Sequence, residues 1–252
     1  MSKNREKSVK TRRRGSGRIY KTVSVVLILA LIVVSISIFF RVETVEVSGA
    51  EICPAEDIVT ASDIRTGDSM IFMNRFEAAD RVFNASTYIK SATITRKFPS
   101  TVIIGVVERV PVASVRIGDS YWLLDSEGRL LEKVEKGSTD GLMNVVGVVP
   151  RAPSAGDYIS LGETEKVRRD YLVTLLGLLE KYDLCGNIGT LNMSDTTDVT
   201  FDYLERYTVR LGQDDNLNDK VAILDGVVAQ LGEYDMGEID LSKAQEAHFI
   251  PA

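Results

Sequence analysis

Residues 88–108, Tyr-Ile-Lys-Ser-Ala-Thr-Ile-Thr-Arg-Lys-Phe-Pro-Ser-Thr-Val-Ile-Ile-Gly-Val-Val-Glu, decide how this chain folds. Ala92 and Ile94 alternate roughly with Lys90, Thr93, Thr95 and Arg96, the pattern of a half-buried strand. Phe98-Pro99-Ser100 turns the chain, because proline presets the backbone for a turn. Thr101 to Glu108 is rich in β-branched residues and too short for an ordinary helix, so it reads as a second strand. Upstream, Val42, Val45 and Val47 stand among Glu43, Thr44 and Glu46, a short strand closed by Ser48-Gly49. Between lie two helices. One opens at Pro54 and buries Ile58, Val59 and Ile64; the other runs from Asn74, a good N-cap, to Asn84. The order strand, helix, helix, strand, strand over residues 42–109 predicts a small sheet with helices on one face.

Outward toward the N-terminus, Thr22 to Phe40 is a run of 19 residues without a charge. As a helix it reaches roughly 28 Å, close to the thickness of a bilayer core. Phe39, Phe40 and Arg41 stand where a signal peptidase would need small residues, so the run reads as a retained transmembrane helix over 22–40. Residues 1–21 carry nine basic side chains against Glu6 alone, a net +8, which leaves −14 on the remainder of a chain whose total is −6. That asymmetry predicts a cytoplasmic basic tail at 1–21 and an extracytoplasmic C-terminus. The basic tail has a single aromatic and adjoins a membrane, so contact with anionic lipid is expected and nucleic-acid binding is not.

Beyond Pro111 the texture changes to short strands and glycine turns, at Val112–Ile117 and Tyr121–Asp125. A helix follows from Glu163 to Tyr182, with Val167, Tyr171, Leu172, Leu175, Leu176 and Leu179 on one face. Strands are expected near Thr190–Met193, Val199–Phe201 and Tyr207–Leu211, then a helix between Leu217 and Leu231. Ile239-Asp240-Leu241 and Ala247 to Ile250 read as one or two final strands. The fold class is α+β throughout, with residues 110–252 a larger β-rich domain. Cys53 and Cys185 read as two reduced thiols, since a domain this long needs no disulfide.

No catalytic apparatus is legible. The sequence has one histidine, His248, and lacks the nucleophile, zinc and dithiol spacings that hydrolysis or redox chemistry would use. Asp214, Asn216, Asn218 and Asp225 mimic a calcium loop, but Asp219 stands where such a loop needs glycine, so a helix-capping cluster is expected instead. Neither a metal, a cofactor nor a small-molecule substrate is predicted.

In chain order, Val45-Glu46-Val47-Ser48-Gly49, Ile94-Thr95-Arg96-Lys97-Phe98-Pro99-Ser100-Thr101-Val102-Ile103-Ile104, Glu108-Arg109-Val110-Pro111-Val112-Ala113 and Gly237-Glu238-Ile239-Asp240-Leu241 resemble the bacterial cell-division family FtsQ/DivIB. The resemblance implies a POTRA domain over 42–109, with Arg96 and Pro99 on its motif, and a β-domain over 110–252. It also implies a non-enzymatic component of the divisome, enriched at the septum. Such a component would bind FtsL-like and FtsB/DivIC-like membrane proteins and regulate septal peptidoglycan synthesis. The family docks its partner at the C-terminal end, which here matches Ile239, Asp240 and Leu241; Ala247, His248 and Phe249 join them as residues of a terminal edge. A POTRA-bearing chaperone or secretion component and a membrane-bound cell-wall hydrolase are the alternatives.

Overall fold

The structure is a computed structural model that describes residues 16–243 and 246–252. Most of the basic tail expected over 1–21 lies outside the described residues. Helix α1 spans Ser16–Phe39 and is 24 residues long. The described residues contain no helix long and apolar enough to cross a membrane.

The chain divides into two compact units. The first comprises residues up to Ala50, with Pro54–Val82 and Ala92–Val106; the second comprises Glu51–Cys53, Phe83–Ser91 and Val107–Ala252. After α1 come strand β1 (Thr44–Ser48), helices α2 (Ala55–Ser62) and α3 (Arg75–Ala85), and strands β2 (Ile89–Lys97) and β3 (Thr101–Glu108). Strand β3 lies between β1 and β2, and it runs parallel to β1 with Val45 opposite Val102 and Val47 opposite Ile104. A parallel neighbour requires a crossover, which the two helices supply. Val102, Ile104 and Val106 alternate into the core, where Ile58, Ala78, Val82 and Ile94 are also buried. Asn74 caps α3 as expected, its side-chain oxygen accepting the Glu77 N–H while its amide donates to the Glu77 carboxylate.

The second unit carries β4 (Ala113–Ile117), β5 (Ser120–Leu124), β6 (Leu130–Val134), β7 (Met143–Val146), α4 (Lys166–Lys181), β8 (Ile188–Asn192), β9 (Val199–Tyr203), β10 (Tyr207–Gly212), α5 (Leu217–Val228), β11 (Gly237–Asp240) and β12 (His248–Pro251). The nine strands form one mixed sheet, in the order β12-β11-β10-β9-β8-β7-β4-β5-β6. Helices α4 and α5 make the crossovers behind the parallel pairs β7–β8 and β10–β11. Tyr171, Leu172, Leu175, Leu176 and Leu179 of α4 join Leu217, Val221 and Leu224 of α5 in one core with Val115, Leu191, Phe201, Val209 and Ile239. Each such burial contributes about 2 kcal/mol. Val167, expected on the same face, is instead 66% exposed; it lies in the first turn of α4, which follows a 3₁₀ turn at Glu163–Glu165. Strands β6 and β7 have no counterpart among the expected elements.

Two local expectations need correction. Asn216 sits at the N-cap of α5, but in a left-handed conformation with φ 51° and without a side-chain capping bond. Asn218 does not cap either; its carbonyl oxygen accepts from Lys181 Nζ at 2.9 Å and the Tyr182 hydroxyl at 3.1 Å.

Candidate partner-binding edge

Strand β12 ends the nine-stranded sheet, and β11 is its one neighbour there. They pair antiparallel, with Ile239 opposite Phe249 and Asp240 opposite His248. Which backbone groups remain free follows from the bond phase. The N–H of Ala252 donates to the Met236 carbonyl at 3.0 Å, and in an antiparallel ladder every second residue faces the partner strand. Residues 252, 250 and 248 therefore face β11. Phe249 turns its N–H and C=O away from the sheet, and Pro251 offers a carbonyl alone. On the other side of β11, the N–H groups of Gly237 and Leu241 donate to the Arg206 and Arg210 carbonyls, which confirms the same phase. Gly237 is required here, since it has φ +153° and a Cβ would lie 2.1 Å from the Ile250 carbonyl oxygen.

The six residues singled out at this end divide by burial. Ile239 and Leu241 are fully buried; β12 covers β11, so they support the edge from the core. Phe249 is half-buried and its ring meets Tyr207 edge-on. Ala247 and His248 are exposed, and His248 Nε2 lies 3.7 Å from Glu246. Asp240 is half-buried. Burial would raise its carboxyl, but hydrogen bonds from Ser242 and the charges of Arg210 and His248 outweigh that and hold it below the usual carboxylate range. Arg210, which the sequence reading did not single out, pairs with Asp198 at 3.0 Å and Glu238 at 3.3 Å on the sheet's polar face. Ile250 is 53% exposed at the edge itself; alternation along a four-residue strand was its sole sequence signal.

Arg96 and Pro99 belong to the first unit. Arg96 donates to the Met73 carbonyl at 2.7 Å, tying β2 to the loop before α3, and Pro99 follows a cis peptide bond. Both shape the unit around the hairpin.

The Glu108-Arg109 pair also has a structural meaning that spacing alone did not reveal. The Glu108 carboxylate accepts the backbone N–H groups of Glu51, Ile52 and Cys53 at 2.7–2.8 Å. Arg109 is buried and its guanidinium reaches Asp125 and Glu127, while Asp125 accepts the Glu127 and Arg129 N–H groups that shape the turn after β5.

Among the described residues, no group of three or more His, Cys, Asp or Glu could hold a metal ion. The Cys53 thiol donates to the Ser86 hydroxyl at 3.6 Å, and burial pushes the Cys185 thiol up to about 11, leaving little thiolate at neutral pH. What the C-terminal edge can do chemically is form main-chain hydrogen bonds with an added strand.

The chain matches the family description "POTRA domain, FtsQ-type" over residues 40–109 and "Cell division protein FtsQ/DivIB, C-terminal" over residues 113–242. It is 30% identical over 196 residues to a cell division protein FtsQ of Syntrophotalea carbinolica, covering 77% of this chain and 67% of that one. With a cell division protein DivIB of Clostridium tetani it shares 25% identity over 183 residues, 73% of this chain and 68% of that protein. A DivIB of Clostridium botulinum is 24% identical over 230 residues, 90% and 80% of the two chains. With a POTRA unit, a β-rich unit and relatives of this name along most of its length, the chain belongs to the FtsQ/DivIB family of cell-division proteins.

Proposed function

We propose that this divisome component is a non-enzymatic, bitopic scaffold that takes an FtsB/DivIC-like partner as an added strand on β12. With an FtsL-like protein in the same complex, it positions septal peptidoglycan synthesis. One observation carries the reading: a terminal strand that turns the main-chain groups of Phe249 outward, beside the exposed Ala247, His248 and Ile250. Free edges of this kind pair with another chain unless they are covered.

The same reading makes α1 the membrane crossing, with the N-terminus cytoplasmic and the rest of the chain outside. Its support is the uncharged run Thr22–Phe40 and the exposure of α1 all round. Val23 and Val25, about 200° apart on a helix, are 58% and 55% exposed. The apolar surface is thus on every side, as lipid contact requires. On this reading the POTRA domain is taken as 42–109 and the β-domain as 110–252.

The test is co-purification of the full chain with its FtsB/DivIC-like partner. Phe249→Asp is expected to lose the partner while the chain stays folded, and depletion of the chain is expected to block constriction. Retention of the partner by the Phe249→Asp protein would show that the edge assignment is wrong.

A further inference from the structure

We propose that the first unit does not merely hang from α1 but sits on the bilayer, with Phe72 and Phe98 inserted in the outer leaflet beside the helix. The inference rests on the membrane crossing proposed for α1 and names a second lipid contact that this crossing brings about.

The chain leaves α1 at Phe39 and is at once fastened to two loops. The Phe40 carbonyl accepts the Met70 N–H at 3.0 Å, Arg41 bridges Ser69, and Val42 exchanges hydrogen bonds with Asp68 and Gly67. On the hairpin side, the Ser100 carbonyl accepts the N–H groups of Glu43 and Thr44, and the Phe98 ring meets Phe40 edge-on at 5.2 Å. A cleft lined by Ser35, Ile38, Phe39, Glu43, Pro99 and Ser100 runs along the last turn of the helix. Both loops are thereby held within a few residues of the point where α1 ends.

What these loops and the adjoining helix ends present is largely apolar. Phe72 is 67% exposed, Phe98 58% and Phe76 69%, and Phe39, the last residue of the helix, is 69% exposed. Phe39 and Phe98 keep only edge contacts with Phe40, which leaves most of each ring, and of Phe72, in water; at the level of lipid headgroups that surface would be covered.

Charge points to the same occupant. Arg41, Arg75 and Lys97 are exposed among these rings, Arg75 lying 5.0 Å over Phe76, and among the described residues none of the three forms an ion pair. The nearby acids are largely engaged: Asp63 with Arg65, Glu77 with Arg81, and Asp68 with the Arg65 N–H, leaving Glu43 in the cleft. Cations interleaved with aromatic rings suit an anionic leaflet, where each side chain keeps its polar end at the headgroups.

The experiment uses the full chain with its single tryptophan removed by Trp122→Phe, reconstituted in phosphatidylglycerol-containing vesicles whose acyl chains are brominated or not. Three reporters are placed one at a time: Val33→Trp in α1, Phe72→Trp and Phe98→Trp. Bromines quench only tryptophan that reaches the acyl region. The expected result is quenching of about two-fold or more for all three, with blue-shifted emission at positions 72 and 98. If position 33 is quenched and positions 72 and 98 are not, the seat on the bilayer is overturned while the crossing stands. If position 33 is not quenched, the crossing fails and this inference falls with it.

Discussion

The ring of Phe249 stands edge-on to that of Tyr207, with centroids 6.2 Å apart and planes at 80°. Through this contact the terminal strand is pinned to β10 across the intervening β11, while the Phe249 main chain faces away from the sheet. One residue thus joins the edge to the core with its side chain and offers the edge to a partner with its backbone. Loss of the ring therefore loosens the strand that offers those backbone groups, which is how Phe249→Asp is expected to reach partner capture.

Leu241 is fully buried, so Leu241→Glu is expected to act on folding. Burying an unpaired carboxylate there costs on the order of 3–5 kcal/mol. Chemical denaturation should show a midpoint far below that of Phe249→Asp, whose half-buried ring costs less.

Arg109 and Asp125 form an ion pair in which both side chains are about 5% exposed. Removing one partner leaves the other buried and uncompensated, so Arg109→Met is expected to lower stability by about 3–5 kcal/mol. The double variant Arg109→Met/Asp125→Leu should recover part of that loss in a double-mutant cycle. Recovery stays incomplete because Asp125 also accepts two turn N–H groups.

Burial would raise the Glu108 carboxyl, but the N–H groups of Ile52, Glu51 and Cys53 hold it below the usual range. A carboxylate whose folded value is depressed contributes stability above its unfolded value, and that contribution disappears as pH falls through the folded value. Glu108→Gln is therefore expected to cost about 1–2 kcal/mol at neutral pH. The gap between variant and wild type should close below about pH 4, as urea titrations at several pH values would reveal.

Gly49 has φ +80°, and a Cβ there would lie 2.2 Å from the Val106 carbonyl oxygen. Strand β3 passes too close for any side chain. Gly49→Ala is expected to lose about 2 kcal/mol or more, measurable as a lowered thermal midpoint without a change in fold by far-UV circular dichroism.

Much of the fold was legible because it rests on local patterns. Thr101–Glu108 was readable as a strand from its β-branched run, and the structure has β3 over those residues. The leucine face of α4 was readable from its period, apart from Val167 at the entry. Strands β6 and β7 were not readable. Leu130–Val134 places two leucines beside Glu132 and Lys133, and Met143–Val146 is four residues long, so neither has enough alternation to register. The Asn216 cap failed for a similar reason: its side chain suits capping, but its left-handed backbone turns that oxygen elsewhere.

At the C-terminal edge, the sequence by itself determined that the segment from Ile239 to Ile250 holds one or two short strands and that Gly237, Ile239 and Leu241 belong to one motif. Only the tertiary structure decided which strand is outermost. Pairing of residues 237–240 with 248–251, and of 237–240 with 207–210, is a choice among distant segments. Alternation says which side chains share a face; it is silent on which strand lies alongside. Ile239 and Leu241 are core because they face the packed side of the sheet; because β12 took the outer place, the unpaired hydrogen-bonding groups came to rest on Phe249 and Pro251.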